Sequence, residues 1–109
     1  MDRAEIALII RRNMQSKMPG FYEIMEINCR RLYGRSCIDL FLDEPGKLRD
    51  VLLGRYSSDA TSVYFVVKYL FLRPLLVERN RLDLEEELAT SFLSDPERFK
   101  RVLASILYS

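Results

Sequence analysis

Apolar residues recur at helical spacing along most of this chain. In the first segment Ile6, Ile9, Ile10, Asn13 and Met14 fall on one face, with Glu5, Arg12 and Gln15 elsewhere on the wheel. Pro19-Gly20 resists continuation of that helix. From Phe21 a second helix carries Ile24, Met25, Asn28, Cys29 and Leu32 on one side, and Gly34 suits the left-handed residue that closes it. Residues 36–42, SCIDLFL, fit either a helical turn or a strand. With no partner strand evident, the reading is a turn capped by Ser36 that buries Ile38, Phe41 and Leu42.

One pattern occurs twice. DEPGKLRDVL at 43–52 returns as SDPERFKRVL at 94–103, each with an acidic residue before proline. The carboxylate can accept orphan backbone N–H bonds, and proline at the first helical position gives up an N–H that needed no partner. An apolar stripe follows each start: Leu48, Val51 and Leu52 in the first copy, Phe99, Val102, Leu103, Ile106 and Leu107 in the second. The repeat therefore predicts two helix starts, each leading into a core face.

Between them lies the most apolar run, ATSVYFVVKYLFL at 60–72, followed by Arg73-Pro74. It is shorter than the roughly 20 apolar residues that span a bilayer, and Lys68 lies near its middle, which argues against a membrane span. The expectation is a central helix capped by Ser58 or Asp59, apolar on most faces because other helices surround it, and kinked or ended by Pro74. Its β-branched and aromatic residues leave a buried strand as the minor alternative. RLDLEEELATSFL then starts at Asp83 with Glu86 three residues on, an acidic form of the capping box, and Leu84, Leu88 and Phe92 supply its inner edge. No linker divides residues 1–109. The pattern predicts a single all-α domain, a compact bundle of five or six helices around an apolar central helix at about 60–72.

Composition narrows the chemistry. Hydrophobic residues at 49% and charged residues at 30% are globular proportions. With 17 basic and 16 acidic residues there is no general attraction to nucleic acid or anionic membrane, so any electrostatic partner must meet a local patch. The absence of histidine removes the commonest general acid/base and metal ligand. Cys29 and Cys37 are too few for a four-ligand zinc site or a secreted disulfide framework, and no CxxC spacing links them, so they read as reduced, buried thiols, with a redox-responsive pair as the alternative. The amino-terminal MDRAEIALIIRRNMQ lacks the parts of a signal peptide and reads as part of the fold. Together these favour a cytoplasmic protein. Arginine outnumbers lysine while Asn and Gln are scarce, a bias compatible with a heat-adapted cytosol.

Candidate chemistry is sparse. Glu85, Glu86 and Glu87 stand at a helix start, where carboxylates favourably face the helix dipole. Asp39, Asp43 and Glu44 stand where turns and caps need them. YGRS and LLGRYSS match neither a P-loop nor a dinucleotide fingerprint. No catalytic, metal or cofactor residue is assigned, no cofactor or small-molecule ligand is expected, and the chain is read as non-enzymatic. A candidate basic patch comprises Arg11, Arg12, Arg30, Arg31, Arg73, Arg79 and Arg81, interleaved with Tyr22 and Tyr33. Adjacent arginines on a helix diverge by about 100°, so solvated ion pairs are the simpler expectation. Six Phe and six Tyr exceed what a small helical monomer readily encloses, which points to an interface. Its candidate residues are Tyr64, Val67, Phe71 and Leu75, with a second copy or another protein as partner.

Residues 32–75, LYGRSCIDLFLDEPGKLRDVLLGRYSSDATSVYFVVKYLFLRPL, carry a family likeness. Tyr33-Gly34, Pro45, Leu48, Leu52 and Tyr56 stand at corresponding places to those of small archaeal output domains of the Nitrosopumilus output domain type, which this stretch resembles. SSDA replaces the Gly-containing turn of that pattern, and residues 84–107 lie outside it. The resemblance implies a helical module serving archaeal sensory and regulatory proteins, with no catalytic residues to carry over. The expected function is accordingly a self-associating protein-interaction or regulatory module. A nucleic-acid-binding regulator using the surface arginines is the alternative.

Overall fold

The computed structural model describes all 109 residues and contains helices only. Seven are formed: α1 Arg3–Lys17, α2 Phe21–Tyr33, α3 Cys37–Asp43, α4 Pro45–Arg55, α5 Ala60–Glu78, α6 Glu85–Ser94 and α7 Pro96–Leu107. A short 3₁₀ turn, Leu82–Leu84, precedes α6. The count exceeds the expected five or six because SCIDLFL is a helix in its own right. Ser36 caps it by accepting from the Asp39 N–H at 3.1 Å, and its short length buries Cys37, Ile38, Leu40, Phe41 and Leu42.

The repeated phrase forms two one-residue elbows. Glu44 closes α3 and opens α4, Asp95 closes α6 and opens α7, and Pro45 and Pro96 take the first helical positions. Asp95 caps as predicted, accepting from the Arg98 N–H at 3.2 Å. Glu44 makes no such bond, because its longer side chain reaches Arg35 and Lys47 instead. The elbows meet: a Cβ built on Gly46 lies 3.7 Å from Pro96 Cγ. Behind them Phe41, Phe92 and Phe99 are wholly buried, with ring centroids 5.5 Å apart for Phe41–Phe99 and 5.2 Å for Phe92–Phe99.

Helix α5 is the longest element, and it does not stop at Leu72. It changes to a π-helical register over Val67–Leu72 and continues through Pro74 to Glu78. Pro74 has no N–H to offer, so the Leu70 carbonyl loses its α-helical donor and, in the wider register, the Tyr69 carbonyl loses its own. Asn13 supplies both, its Nδ2 donating to Tyr69 O at 2.9 Å and to Leu70 O at 3.1 Å. A polar residue on the apolar stripe of α1 thus completes the backbone of α5. At 19 residues this helix is long and apolar enough to cross a bilayer by length and composition. Here it packs on α1, α4 and α6, which bury Val67, Phe71 and Leu75, and keeps one strip with Phe65 open to solvent.

The cysteines depart from expectation. Cys29 and Cys37, both buried, are joined in a disulfide. The left-handed Gly34, at φ 67°, reverses the chain after α2 and brings the two Cα atoms to 5.5 Å, within bridging distance. On α2 the buried stripe is Phe21, Met25 and Cys29, whereas Ile24 and Leu32, expected beside them, face solvent.

Candidate interaction surface

Tyr64, Val67, Phe71 and Leu75, expected at an interface, separate in the structure. Val67, Phe71 and Leu75 are wholly buried, with Phe71 packed on Phe41 at a centroid distance of 5.1 Å. They are intrachain core, because α1, α4 and α6 cover that side of α5. The solvent side carries a different set. Phe65 is 45% exposed, lies parallel to Tyr69 at 5.8 Å between centroids, and meets Tyr64 edge-on at 5.2 Å. Sequence periodicity placed the apolar stripe correctly but gave no means to tell its wet edge from its dry one.

This aromatic edge borders a groove between the carboxy-terminal end of α1 and the outer face of α5. Lys17, Met18, Phe65, Val66, Tyr69 and Leu70 line it. Met18 is half-exposed at the end of α1, and Lys17 makes no ion pair. Asn13 and Lys17 share one edge of α1 by their four-residue spacing, so the edge that bonds Tyr69 and Leu70 through Asn13 also carries Lys17 beside the groove.

Behind the rings lies a charged cluster. Lys68, only 8% exposed, sits 5.4 Å from the ring centroids of both Tyr64 and Tyr69, with Glu85 at 3.9 Å and Glu86 at 3.7 Å. Burial works to lower the pKa of its ammonium, but Tyr64 and Tyr69, then Glu86 and Glu85, carry it above the ordinary value. Arg73 stacks over Tyr69 at 4.3 Å and grips Glu85 with two bonds, Nε to Oε2 at 2.7 Å and Nη2 to Oε1 at 2.6 Å. Those bonds hold the Arg73 guanidinium pKa above its usual value. Glu85, Glu86 and Glu87 lie in the first turn of α6, where acids face the helix dipole as expected, and Glu85 is in addition buried. Helix α6 starts at Glu85, one residue later than the capping-box reading, and Asp83 pairs with Arg81 at 3.2 Å instead of capping. The cluster locks α6 to the π-helical turn and holds Tyr69 against Phe65.

Six of the seven candidate arginines are held by partners of their own. Arg11 covers the Tyr22 ring at 5.1 Å, Arg30 pairs with Glu26 at 3.3 Å, and Arg31 donates to Asn28 at 3.3 Å. Arg12 is exposed without an acidic partner. Arg73 and Arg81 are taken by Glu85 and Asp83, and Arg79 Nη2 donates to the Leu107 carbonyl at 2.6 Å. That carbonyl, at the end of α7, also accepts from the Met1 amine at 3.0 Å. Six of the seven arginines thus serve separate contacts on α1, α2 and the α5–α6 side.

A second charged network joins α1, α3 and α4. Arg3 reaches Asp39 at 2.9 Å and Asp43 at 2.8 Å, while Arg35 reaches Asp43 at 2.6 Å and Glu44 at 3.1 Å. Arg3 and then Arg35 hold the Asp43 carboxyl down to about 2, against a partial rise from burial. Comparison of the chain with known protein families, with curated proteins and with solved structures yields no match.

Proposed function

We propose that the chain is a non-enzymatic helical protein-interaction module, and that it associates, with a second copy first among its partners, through the groove of Met18, Phe65, Val66 and Tyr69. The observation that carries this reading is the surface ring stack, in which Phe65 keeps 45% of its area in water although Tyr64 and Tyr69 flank it. Aromatic rings held rigid by their neighbours bury large area with little loss of rotamer freedom, which suits them as anchors. Lys68, Arg73 and Glu85 fix Tyr69 from behind, so the surface is set before a partner arrives. A role within archaeal sensory or regulatory assemblies, implied by the likeness over residues 32–75, suits such a module.

The alternative is a nucleic-acid-binding regulator, for which the same rings offer stacking and Arg73 a cation. Dispersed arginines and a net charge of +1 favour the protein partner. Sedimentation at micromolar concentration tests the first reading: the parent self-associates, and Phe65→Asp reduces that association while its melting curve stays close to the parent's. A parent that is monomeric at every concentration removes self-association. A nanomolar complex with duplex DNA that persists in high salt puts the alternative first.

A further inference from the structure

Resting on the reading above, we infer that the groove on α5 receives the corner at the far end of α5 from a second copy, so that copies join head to tail. The groove is shallow and open, its walls are apolar, and Lys17, which has no ionic partner, is the one charged residue lining it. Its complement is on the same molecule. Where α5 ends, Val77 is 59% exposed and Leu82 is 48% exposed, and neither has an intrachain role that accounts for it. A tight turn presents them: Asn80 stands at φ 54°, its N–H donates to Val77 O at 3.1 Å, and the Arg81 N–H donates to Leu76 O at 2.8 Å. Glu78, between them, is exposed and makes no ion pair, while Arg81 and Asp83 neutralise each other. The corner therefore offers two apolar side chains and one free carboxylate to a groove with apolar walls and one free ammonium.

Two arguments place the contact between copies and make it heterologous. Phe65 and Val77 are twelve residues apart on one helix, about 18 Å along its axis, so the two surfaces of one chain cannot meet. Pairing groove with groove about a two-fold axis brings two Lys17 ammoniums into one apolar interface whose lining has no carboxylate to meet them. A head-to-tail contact fills the groove and leaves one free corner and one free groove at the ends of the assembly, which grows into chains or closes as a ring.

The test uses two variants at exposed positions, Phe65→Asp to block the groove and Leu82→Asp to block the corner, each checked for a parent-like melting curve. Sedimentation of either alone shows a monomer. Their equimolar mixture forms a dimer that grows no further, because only one intact groove and one intact corner remain. A Leu82→Asp protein that self-associates like the parent overturns the corner while leaving the groove proposal standing. A mixture that stays monomeric overturns the head-to-tail arrangement, and a monomeric parent overturns both proposals. Lys17→Glu weakens association by about tenfold or more, and Glu78→Lys in the same chain restores most of it. Failure of that restoration removes Glu78 as the partner of Lys17.

Discussion

Glu44 and Asp95 occupy the same backbone conformation, φ −139°, ψ 63° and φ −152°, ψ 76°, each ending one helix and starting the next. A single non-helical residue, followed by proline at the first helical position, turns the chain without a loop. Leu52 and Leu103, the last residues of the two repeated phrases, both point into the core behind these elbows at 0% and 2% exposure. Leu52→Ala and Leu103→Ala are each expected to lower stability by ~2–5 kcal/mol, read from urea midpoints. Parent-like midpoints for both variants contradict the equivalence of the two elbows.

Asn13 and Pro74 form a linked pair through the carbonyls of Tyr69 and Leu70. Asn13→Ala leaves two carbonyls without a donor and is expected to cost about 1–3 kcal/mol. Pro74→Ala returns an N–H to that turn, so the loss from Asn13→Ala should be smaller in the Pro74→Ala background. A double-mutant cycle measures the coupling, and strict additivity contradicts it.

At the Lys68 cluster the asymmetry of ion pairs gives an order of effects. Removing Glu85 leaves the enclosed Lys68 ammonium and the Arg73 guanidinium without their shared partner, whereas Lys68→Met removes the enclosed charge itself. Glu85→Ala should therefore lower the thermal midpoint more than Lys68→Met does. The reverse order means that Lys68 is stabilising through its ring contacts.

The Asp43 network predicts a pH window. Its carboxyl ionises at about 2 in the folded chain against 3.8 ordinarily, so the unfolded state binds the proton first on acidification. Its contribution is complete above pH 3.8 and is lost as pH falls through about 2. With the side chain about one-third exposed, solvent screening leaves it about 1 kcal/mol. Asp43→Asn should flatten the stability profile between those limits, and an unchanged profile assigns the acid transition to other carboxylates.

For the cysteine pair the expectation is protection from alkylation in the native protein and reaction after reduction in denaturant. With the two cysteines eight positions apart in the sequence, Cys29→Ser with Cys37→Ser should cost about 2–3 kcal/mol on loop-closure grounds. Ready alkylation of the unreduced native chain argues that the pair exists as thiols.

What could be read from the sequence was local. Ser36, Asp59 and Asp95 cap as their identities require, and the acidic-Pro pairs start helices because proline's restrictions act within one turn. Contacts between distant segments left weaker marks. Pro74 reads as a helix end unless Asn13, sixty-one positions earlier, is known to take its orphaned carbonyls. Phe71 and Phe65 sit on one apolar run, and only the packing of α1, α4 and α6 decides that the first is dry and the second wet. The signal that could have exposed Asn13 was its presence on an otherwise apolar stripe. For the cysteines it was a helix-closing glycine placed between them.

The elbows also decide where this chain can change length. A one-residue connection has no slack, and adding one residue at 44 or 95 would turn the following helix by about 100° and carry Leu48 or Phe99 off its buried bearing. Residues 56–59 tolerate more, since Ser57 and Ser58 are exposed and join the helices through a left-handed bend outside the core. Insertions and deletions in descendants of this sequence should therefore collect at 56–59 and spare both acidic-Pro positions, whose spacing is held more strictly than their side chains.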